Sequence, residues 1–543
     1  MKGRWLIIGL LLLSLQVGAR ERTETELMSL ASQALMSLSD GETLSNSIAG
    51  RSPRCAAERS NLSVWAASGV GFVVLSRDDS RRAVLAVSSG EWDEDDLPCG
   101  LEWWLNATDE ALAQEGEPTL YTTDADEEGE YFLTSLWKQT SPYNSLCPVY
   151  NGSTTVTGCL PLALSQVMNY YEYPYQGTGT GSYTLNSEEY TDLAVNAVYD
   201  WDNMLDSYTS TATDTQKTAV ATLLYDACIA VVTDFGTSAS GSQASSAATA
   251  IKQNFGYDSL ALEYYYRMFY TDTEWMTLVD DELSSGNPLI YCGVDDDDGG
   301  HAFVVDGIRA DGLVHVNWGW GGNYNGWYSI DDLTPNSSVS FTSYQCMLFG
   351  FRPYEATAGE ENRSSWAIQG DWTLAVQTRG PSTFLSLSLT DTYNMSHRYF
   401  DGGLYVVFCD TLGNIVATEL FYDGSLSSFY GWSEASTNVS IPNLSTGQYL
   451  VYLASRNDDE TGYQPIRSLG GVEYYTLTVK SRNRYTLEEG DLTAVGTPVV
   501  ATSEAAFVVY DLTGRCLGTS LDGLEGIVVV KQGGTSKKIL LTN

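Results

Sequence analysis

The sequence predicts an α+β protein made of several units in a row. A small α+β unit comes first, then a larger α+β unit of two subdomains, a β-sandwich and a short β module. Three observations predict this. A chain of 543 residues is too long for one core of ordinary size. Helical and strand periodicities are mixed up to about residue 355, whereas beyond about 360 only short strand-like runs recur. Between them, residues 122–130 (TTDADEEGE) are acidic and poor in large apolar side chains, which marks an exposed linker and a processing site.

The elements follow in order. Residues 1–19 read as a secretory signal peptide: Lys2 and Arg4 precede an apolar run over 5–15, and Val17, Gly18 and Ala19 supply small residues for cleavage. The run is short for a membrane span and no later run is long enough, so export without a membrane span is expected. Leu27, Leu30, Ala31, Ala34, Leu35 and Leu38 form the stripe of an amphipathic helix. Residues 71–75 and 83–87 are strand-like around the polar turn 77–80, and a helical piece surrounds Trp103, Trp104 and Leu105. Residues 20–130 therefore read as a small α+β unit with its linker.

In residues 131–355 helices come first and strands late, which predicts two subdomains. An apolar-periodic run starts at Cys159 and ends at Pro174; residues 301–305 and 313–318 read as neighbouring strands, with Asp-Gly turn chemistry between. Over 360–482, runs at 372–376, 404–408 and 449–453, punctuated by Gly, Asn, Asp and Ser, predict a β-sandwich. A last β module is read over 503–543.

Composition narrows the function. With 69 acidic against 28 basic residues the formal charge is −41, so a phosphate backbone would be repelled and nucleic-acid binding is excluded. Nine cysteines without a paired C-x-x-C pattern form no dense disulfide framework, and the odd count allows a free thiol.

That thiol is sought at Cys159, in Thr157-Gly158-Cys159-Leu160-Pro161 at the mouth of a helix. A helix N-terminus favours a thiolate, and Pro161 suits a first turn. A buried structural cysteine is the alternative. The chain has only three histidines. His301 follows Gly299 and Gly300 and opens an apolar strand, whereas His315 lies within a strand and His397 in the β-rich region. Cys159 with His301 therefore predicts thiol nucleophile and base. Asn317, on the next strand, carries an amide able to accept from the ring and orient it, with Trp318 shielding that bond. Gln139 carries an amide donor suited to a developing oxyanion, with the Cys159 N–H as second donor. The acidic run over 295–298 reads as a solvated loop, as a group raising His301 basicity and attracting basic peptides, or as a calcium site without EF-hand spacing.

Trp137-Lys138-Gln139, Pro142-Tyr143-Asn144, Cys147-Pro148, Thr157-Gly158-Cys159, Gln166-Val167-Met168-Asn169-Tyr170, Gly300-His301-Ala302-Phe303-Val304 and His315-Val316-Asn317-Trp318-Gly319-Trp320-Gly321-Gly322 stand in this order. Over about 131–355 the chain resembles the streptopain family of secreted bacterial cysteine peptidases, with a papain-like fold. The resemblance implies Cys159 as nucleophile, His301 as base and acid, Gln139 as oxyanion donor, and Asn317 in the catalytic set. Trp318, Trp320 and Gly300 are read as substrate-binding. No metal and no cofactor are implied. Leu160, Pro161, Leu162 and Tyr171 depart from the family's usual residues, which bears on pocket shape.

Residues 20–130 resemble the family's inhibitory propeptide through Gly71-Phe72-Val73-Val74-Leu75-Ser76 and Leu97-Pro98. That implies a zymogen, intramolecularly inhibited, cut before Trp137. Tyr510-Asp511-Leu512-Thr513-Gly514-Arg515 and Gly526-Ile527-Val528 resemble C-terminal sorting modules of type IX secretion, implying that machinery as a partner. The expectation is a secreted or cell-surface bacterial endopeptidase acting on proteins or peptides, with a bulky apolar preference at the second residue before the cut. The alternatives are a surface-binding protein on a peptidase scaffold and a cell-wall amidase.

Overall fold

The computed structural model describes residues 20–38, 52–113, 129–353 and 368–490, apart from short breaks at 259–260, 268–269, 271, 296–298, 331–344, 395–398, 412, 428–429, 459–460, 467–473 and 482–483, together with strands over 508–510, 516–518, 526–532 and 535–541. The signal-peptide reading, most of the acidic linker, His397 and residues 296–298 of the acidic run lie outside the described residues.

Helix α1 (Glu24–Met36) starts at a capping box in which Thr23 and Glu26 satisfy each other's backbone N–H groups. Its stripe buries Leu27, Ala31 and Leu35. Strands β1 (Arg54–Glu58), β2 (Leu62–Ala67), β3 (Gly71–Ser76) and β4 (Val84–Ser88) follow as an antiparallel meander. β3 is buried along its whole length because both faces are covered. Val73 and Leu75 pack with α1. Phe72 and Val74 pack with Leu101 and Trp104 of helix α2 (Cys99–Leu112). A continuous apolar run such as Phe72-Val73-Val74-Leu75 is what two-sided burial requires.

The later strands are β5 (Glu263–Tyr266), β6 (Leu289–Asp295), β7 (Gly299–Ile308), β8 (Val314–Asn317), β9 (Gly326–Tyr328) and β10 (Gln345–Phe349). All ten form one sheet in the order β1-β2-β3-β4-β9-β8-β7-β6-β10-β5. The sequence reading treats the N-terminal unit as separate, yet its sheet runs into the next unit through β4 and β9, with Ala86↔Tyr328, Val87↔Trp327 and Ser88↔Gly326 in register. An edge strand leaves backbone donors and acceptors unmet, and β4 meets those of β9.

Helices α3 (Cys159–Tyr171), α4 (Asp214–Ala230) and α5 (Ala244–Gln253) pack on one sheet face, around Ile290, Cys292, Ala302, Val304 and Leu348. Helix α6 (Asp272–Ser284) and α2 pack on the other, around Leu289, Tyr291, Phe303 and Val305. The alternation along β6 and β7 sends neighbouring residues into different cores. The fold is thus mixed α and β.

Strands β11 (Ile368–Arg379), β12 (Ser382–Asn394), β13 (Phe400–Cys409), β14 (Ile415–Leu426), β15 (Gly431–Ser440), β16 (Gly447–Asn457), β17 (Gln464–Pro465), β18 (Tyr475–Ser481) and β19 (Arg484–Glu489) form two sheets. Their orders are β11-β12-β15 and β14-β13-β16-β18-β19, with β17 beside β16. Leu374, Leu387 and Val439 of the first share one core with Leu404, Val406, Leu453 and Leu477 of the second. The expected limit at 482 falls inside the β18–β19 hairpin, so this unit continues to Glu489. The four strands beyond residue 507 form a separate antiparallel sheet. Among the described residues no helix is long and apolar enough to cross a membrane.

Candidate active site

Three segments meet at Cys159. The first is its own loop. Thr157 N–H donates to the Gln139 carbonyl (3.2 Å). Gly158 then turns the chain into α3 with φ of 88°, and a Cβ there would stand 3.0 Å from the Ser240 carbonyl oxygen. Backbone conformation and space together demand glycine. Cys159 is the first residue of a helix whose following residues, Leu160 to Met168, are all buried. Its thiol therefore sits at the positive end of a well-anchored dipole.

The second segment is β7. Ala302 N–H donates to Cys159 Sγ (3.4 Å). The His301 ring lies within hydrogen-bonding reach of the same thiol. His301 Nε2 is 3.2 Å from the Trp318 carbonyl oxygen. A carbonyl only accepts, so Nε2 carries a proton and Nδ1 is left to take one from the thiol. The Cys159 thiol is lowered from its ordinary value. Burial is the largest single influence and pushes it up; the His301 charge, the His301 hydrogen bond and the N–H groups of Ala302 and Cys159 together outweigh it.

The third segment holds the tryptophan–glycine block against Gln139. Gly321 N–H donates to the Trp137 carbonyl (2.9 Å), and Lys138 bridges to Trp320. Gln139 is thus tied by its own backbone to the cysteine loop and, through its neighbours, to the block; its side chain is half-buried. Trp320 is half-buried and Gly300 is exposed.

Asn317 is placed differently from the expectation. Its Nδ2 donates to the Ser135 carbonyl (2.8 Å) and its Oδ1 accepts from Gly319 N–H (3.1 Å). The amide is committed to backbone at both ends, and the main-chain carbonyl of the next residue, Trp318, faces the imidazole instead. Strand alternation explains it, since consecutive side chains leave β8 on opposite faces. Trp318 also differs from an open groove wall. It is 1% exposed and packs against Phe303 (4.6 Å between ring centroids) and Tyr328 (5.1 Å), beside the 3%-exposed His301.

The helical piece expected around Trp103, Trp104 and Leu105 is α2, and what sequence reasoning missed is its contact with the His301 ring. A Cβ at Gly100 of α2 would overlap Cδ2 of His301, and a Cβ at Gly293 would overlap the Trp103 ring. Gly293 is the register partner of His301. Trp104 Nε1 donates to the Ser329 carbonyl (2.7 Å). A glycine in a helix is unfavourable unless packing requires it, and that was the available signal.

A second missed feature is His315. Its Nδ1 is 2.6 Å from Asp306 Oδ1, and its ring stacks on Tyr131 at 4.0 Å. Asp306 also accepts from Leu133 N–H through Oδ2 (2.7 Å) and from Phe132 N–H through its carbonyl (3.0 Å). The pair anchors the chain entering the larger unit.

The Peptidase C10 family model matches residues 137–328. Streptopain of Streptococcus pyogenes serotype M28 is 31% identical over 325 residues, 54% of this chain and 81% of streptopain. The thiol protease/hemagglutinin PrtT of Porphyromonas gingivalis is 30% identical over 295 residues, 49% of this chain and 33% of PrtT. Among solved structures, a prointerpain A fragment of Prevotella intermedia bearing one Cys-to-Ala substitution is 34% identical, with a TM-score of 0.50, and the match covers 56% of this chain and 99% of the fragment.

Proposed function

The chain belongs to the peptidase C10 family of cysteine peptidases, the family of streptopain, and from that premise we propose that it is an exported endopeptidase made as a self-blocked precursor, with Cys159 as nucleophile and His301 as proton carrier. The observation that carries this is the meeting of the Cys159 thiol, the His301 ring and the Ala302 N–H at the start of α3. The Cys159 thiolate attacks a peptide carbonyl, forming the C–S bond. The oxyanion accepts from the Cys159 N–H and the Gln139 amide; one such donor is worth about 3 kcal/mol. His301 gives its proton to the leaving amine, and water then releases the acyl group.

In the precursor, α2 lies on the His301 ring, and the sheet shared through β4 and β9 fixes it there. Residues 20–113 act as an intramolecular inhibitor. The maturation cut, expected before Trp137, falls ahead of Tyr131. Residues 131–137 are held by the Phe132, Leu133 and Leu136 N–H groups, by the Ser135 carbonyl and by Trp137 Nε1, so a cut among them would leave a stub bound to the enzyme. The helical core around α3 and the sheet with its outer helices are the two papain-like subdomains, with the site where they meet. Trp318, Trp320 and Gly300 border the peptide groove once α2 has left. The sandwich over 368–490 is a separate accessory unit, and the strands beyond 507 serve export as a sorting module.

The test is casein hydrolysis by the matured full-length protein. Cleavage that iodoacetamide abolishes, and that Cys159→Ala reduces by about 10⁴-fold, is expected. Turnover of peptidoglycan peptides with no cleavage of casein would replace the endopeptidase reading with the amidase one.

A further inference from the structure

We propose that two buried thiol pairs, Cys147 with Cys228 and Cys292 with Cys346, are disulfide-forming sites, oxidised by exchange with a dithiol oxidase or a low-molecular-mass disulfide, and that the two bridges brace the cradle of Cys159. All four stand as free thiols in the folded chain.

Cys292 and Cys346 are register partners in the antiparallel pair of β6 and β10. Such partners have Cα atoms about 4.5–5.5 Å apart, within the span of about 4.4–6.8 Å that a disulfide bridges, and their side chains share a sheet face. Both sit in the helical core, and their thiols are within hydrogen-bonding reach. Cys147 and Cys228 are far apart in the chain, the first in the loop before Pro148 and the second in the last turn of α4. They meet in a small cluster with Phe235, again with thiols in hydrogen-bonding reach.

Both pairs lie directly behind the nucleophile. The Cys228 thiol donates to the Thr157 carbonyl (3.4 Å), on the loop that delivers Cys159. Cys292 is the register partner of Ala302, whose N–H holds Cys159 Sγ. Cys292 is also close enough to Cys159 to feel its charge. A free thiol there is a competing partner for the catalytic sulfur, and a bridge to Cys346 removes it.

The chemistry balances without any other reagent. One thiolate attacks the oxidant's disulfide and releases one reduced thiol; the second protein thiolate displaces the other, so each bridge formed passes two electrons and two protons from the protein thiols to one oxidant disulfide, which ends as two thiols. Cys292 is held protonated by its hydrogen bond with Cys346 and by burial, and Cys228 by burial and its hydrogen bond with Cys147. Exchange in the finished fold is therefore slow, and the bridges close while the chain folds.

The test refolds the full-length Cys159→Ala chain in mixed oxidised and reduced glutathione, alkylates it, and maps linked peptides without reduction. Bridges 147–228 and 292–346 are expected, with loss of four alkylatable thiols and a melting midpoint roughly 5–10 °C above that of the reduced protein. Cys346→Ala should lose the second bridge alone, and Cys228→Ala the first alone. In the unsubstituted chain Cys159 should remain alkylatable. The proposal is overturned if the four thiols stay alkylatable in the refolded protein, if only mixed disulfides with glutathione form, or if Cys159 is found bridged to Cys292.

Discussion

Cys159 and Cys55 are both partly accessible thiols, and their surroundings push them in opposite directions. Cys159 is lowered because His301 and two N–H groups outweigh burial. Cys55 is raised by burial and by Glu58. Only the thiolate is alkylated, so in the matured enzyme Cys159 should react with iodoacetamide at half-maximal rate below the ordinary thiol value of about 8.5, and Cys55 in the precursor above it. His301→Ala removes the largest lowering influence, so the Cys159 midpoint should move up; a midpoint that stays put would mean that the helix end alone sets it. Asn317 acts through the backbone it holds. Asn317→Ala frees the Ser135 carbonyl and the Gly319 N–H, which should lower stability by about 1–3 kcal/mol. Its loss should also loosen the Trp318 carbonyl that orients His301, so kcat should fall about tenfold with KM nearly unchanged. Unchanged kcat in the folded variant would assign Asn317 to stability alone.

At the scale of elements, α2 is the part proposed to keep the enzyme latent. Its first turn touches the His301 ring through Gly100, and Trp103 and Trp104 seat it on Gly293 and Ser329. A Leu side chain at position 100 cannot fit over the ring, and overpacking of this kind costs about 1–3 kcal/mol. In a full-length chain that cannot be cut, Gly100→Leu should therefore speed alkylation of Cys159 by about tenfold or more, read by mass spectrometry. Unaltered labelling of a folded Gly100→Leu chain would show that α2 does not gate the site. β9 helps to explain why α2 stays in place: its three residues pair with β4 through ladder hydrogen bonds, and side chains add Ser88 Oγ to the Asn325 carbonyl (2.6 Å) and the Tyr324 hydroxyl to the Asp93 carbonyl (3.1 Å).

Over the whole molecule, the three large cores divide the work. The first two meet across the ten-stranded sheet and contain the site. The third is built only from residues of the sandwich. A chain ending at residue 353 should consequently mature and cleave casein with kcat/KM within about twofold of the full chain. A larger loss would mean that the sandwich contributes to the substrate groove.

Local pattern alone sufficed for much of this. The stripe over 27–38, the paired strands at 71–75 and 83–87, the helix that opens on Cys159 and the strand that opens on His301 all follow from periodicity and end signals, which neighbouring residues carry. The ordered motif from Trp137 to Gly322 pointed to the peptidase family by resemblance. What the sequence could not contain was contact between distant segments. Strand register sends the Asn317 amide to Ser135 and leaves the Trp318 carbonyl for His301. Sheet continuity lays Gly100 on the imidazole, and cross-strand pairing brings Cys292 to Cys346. Each of these depends on which face a residue occupies after packing, and that is settled by cores assembled from parts of the chain hundreds of residues apart.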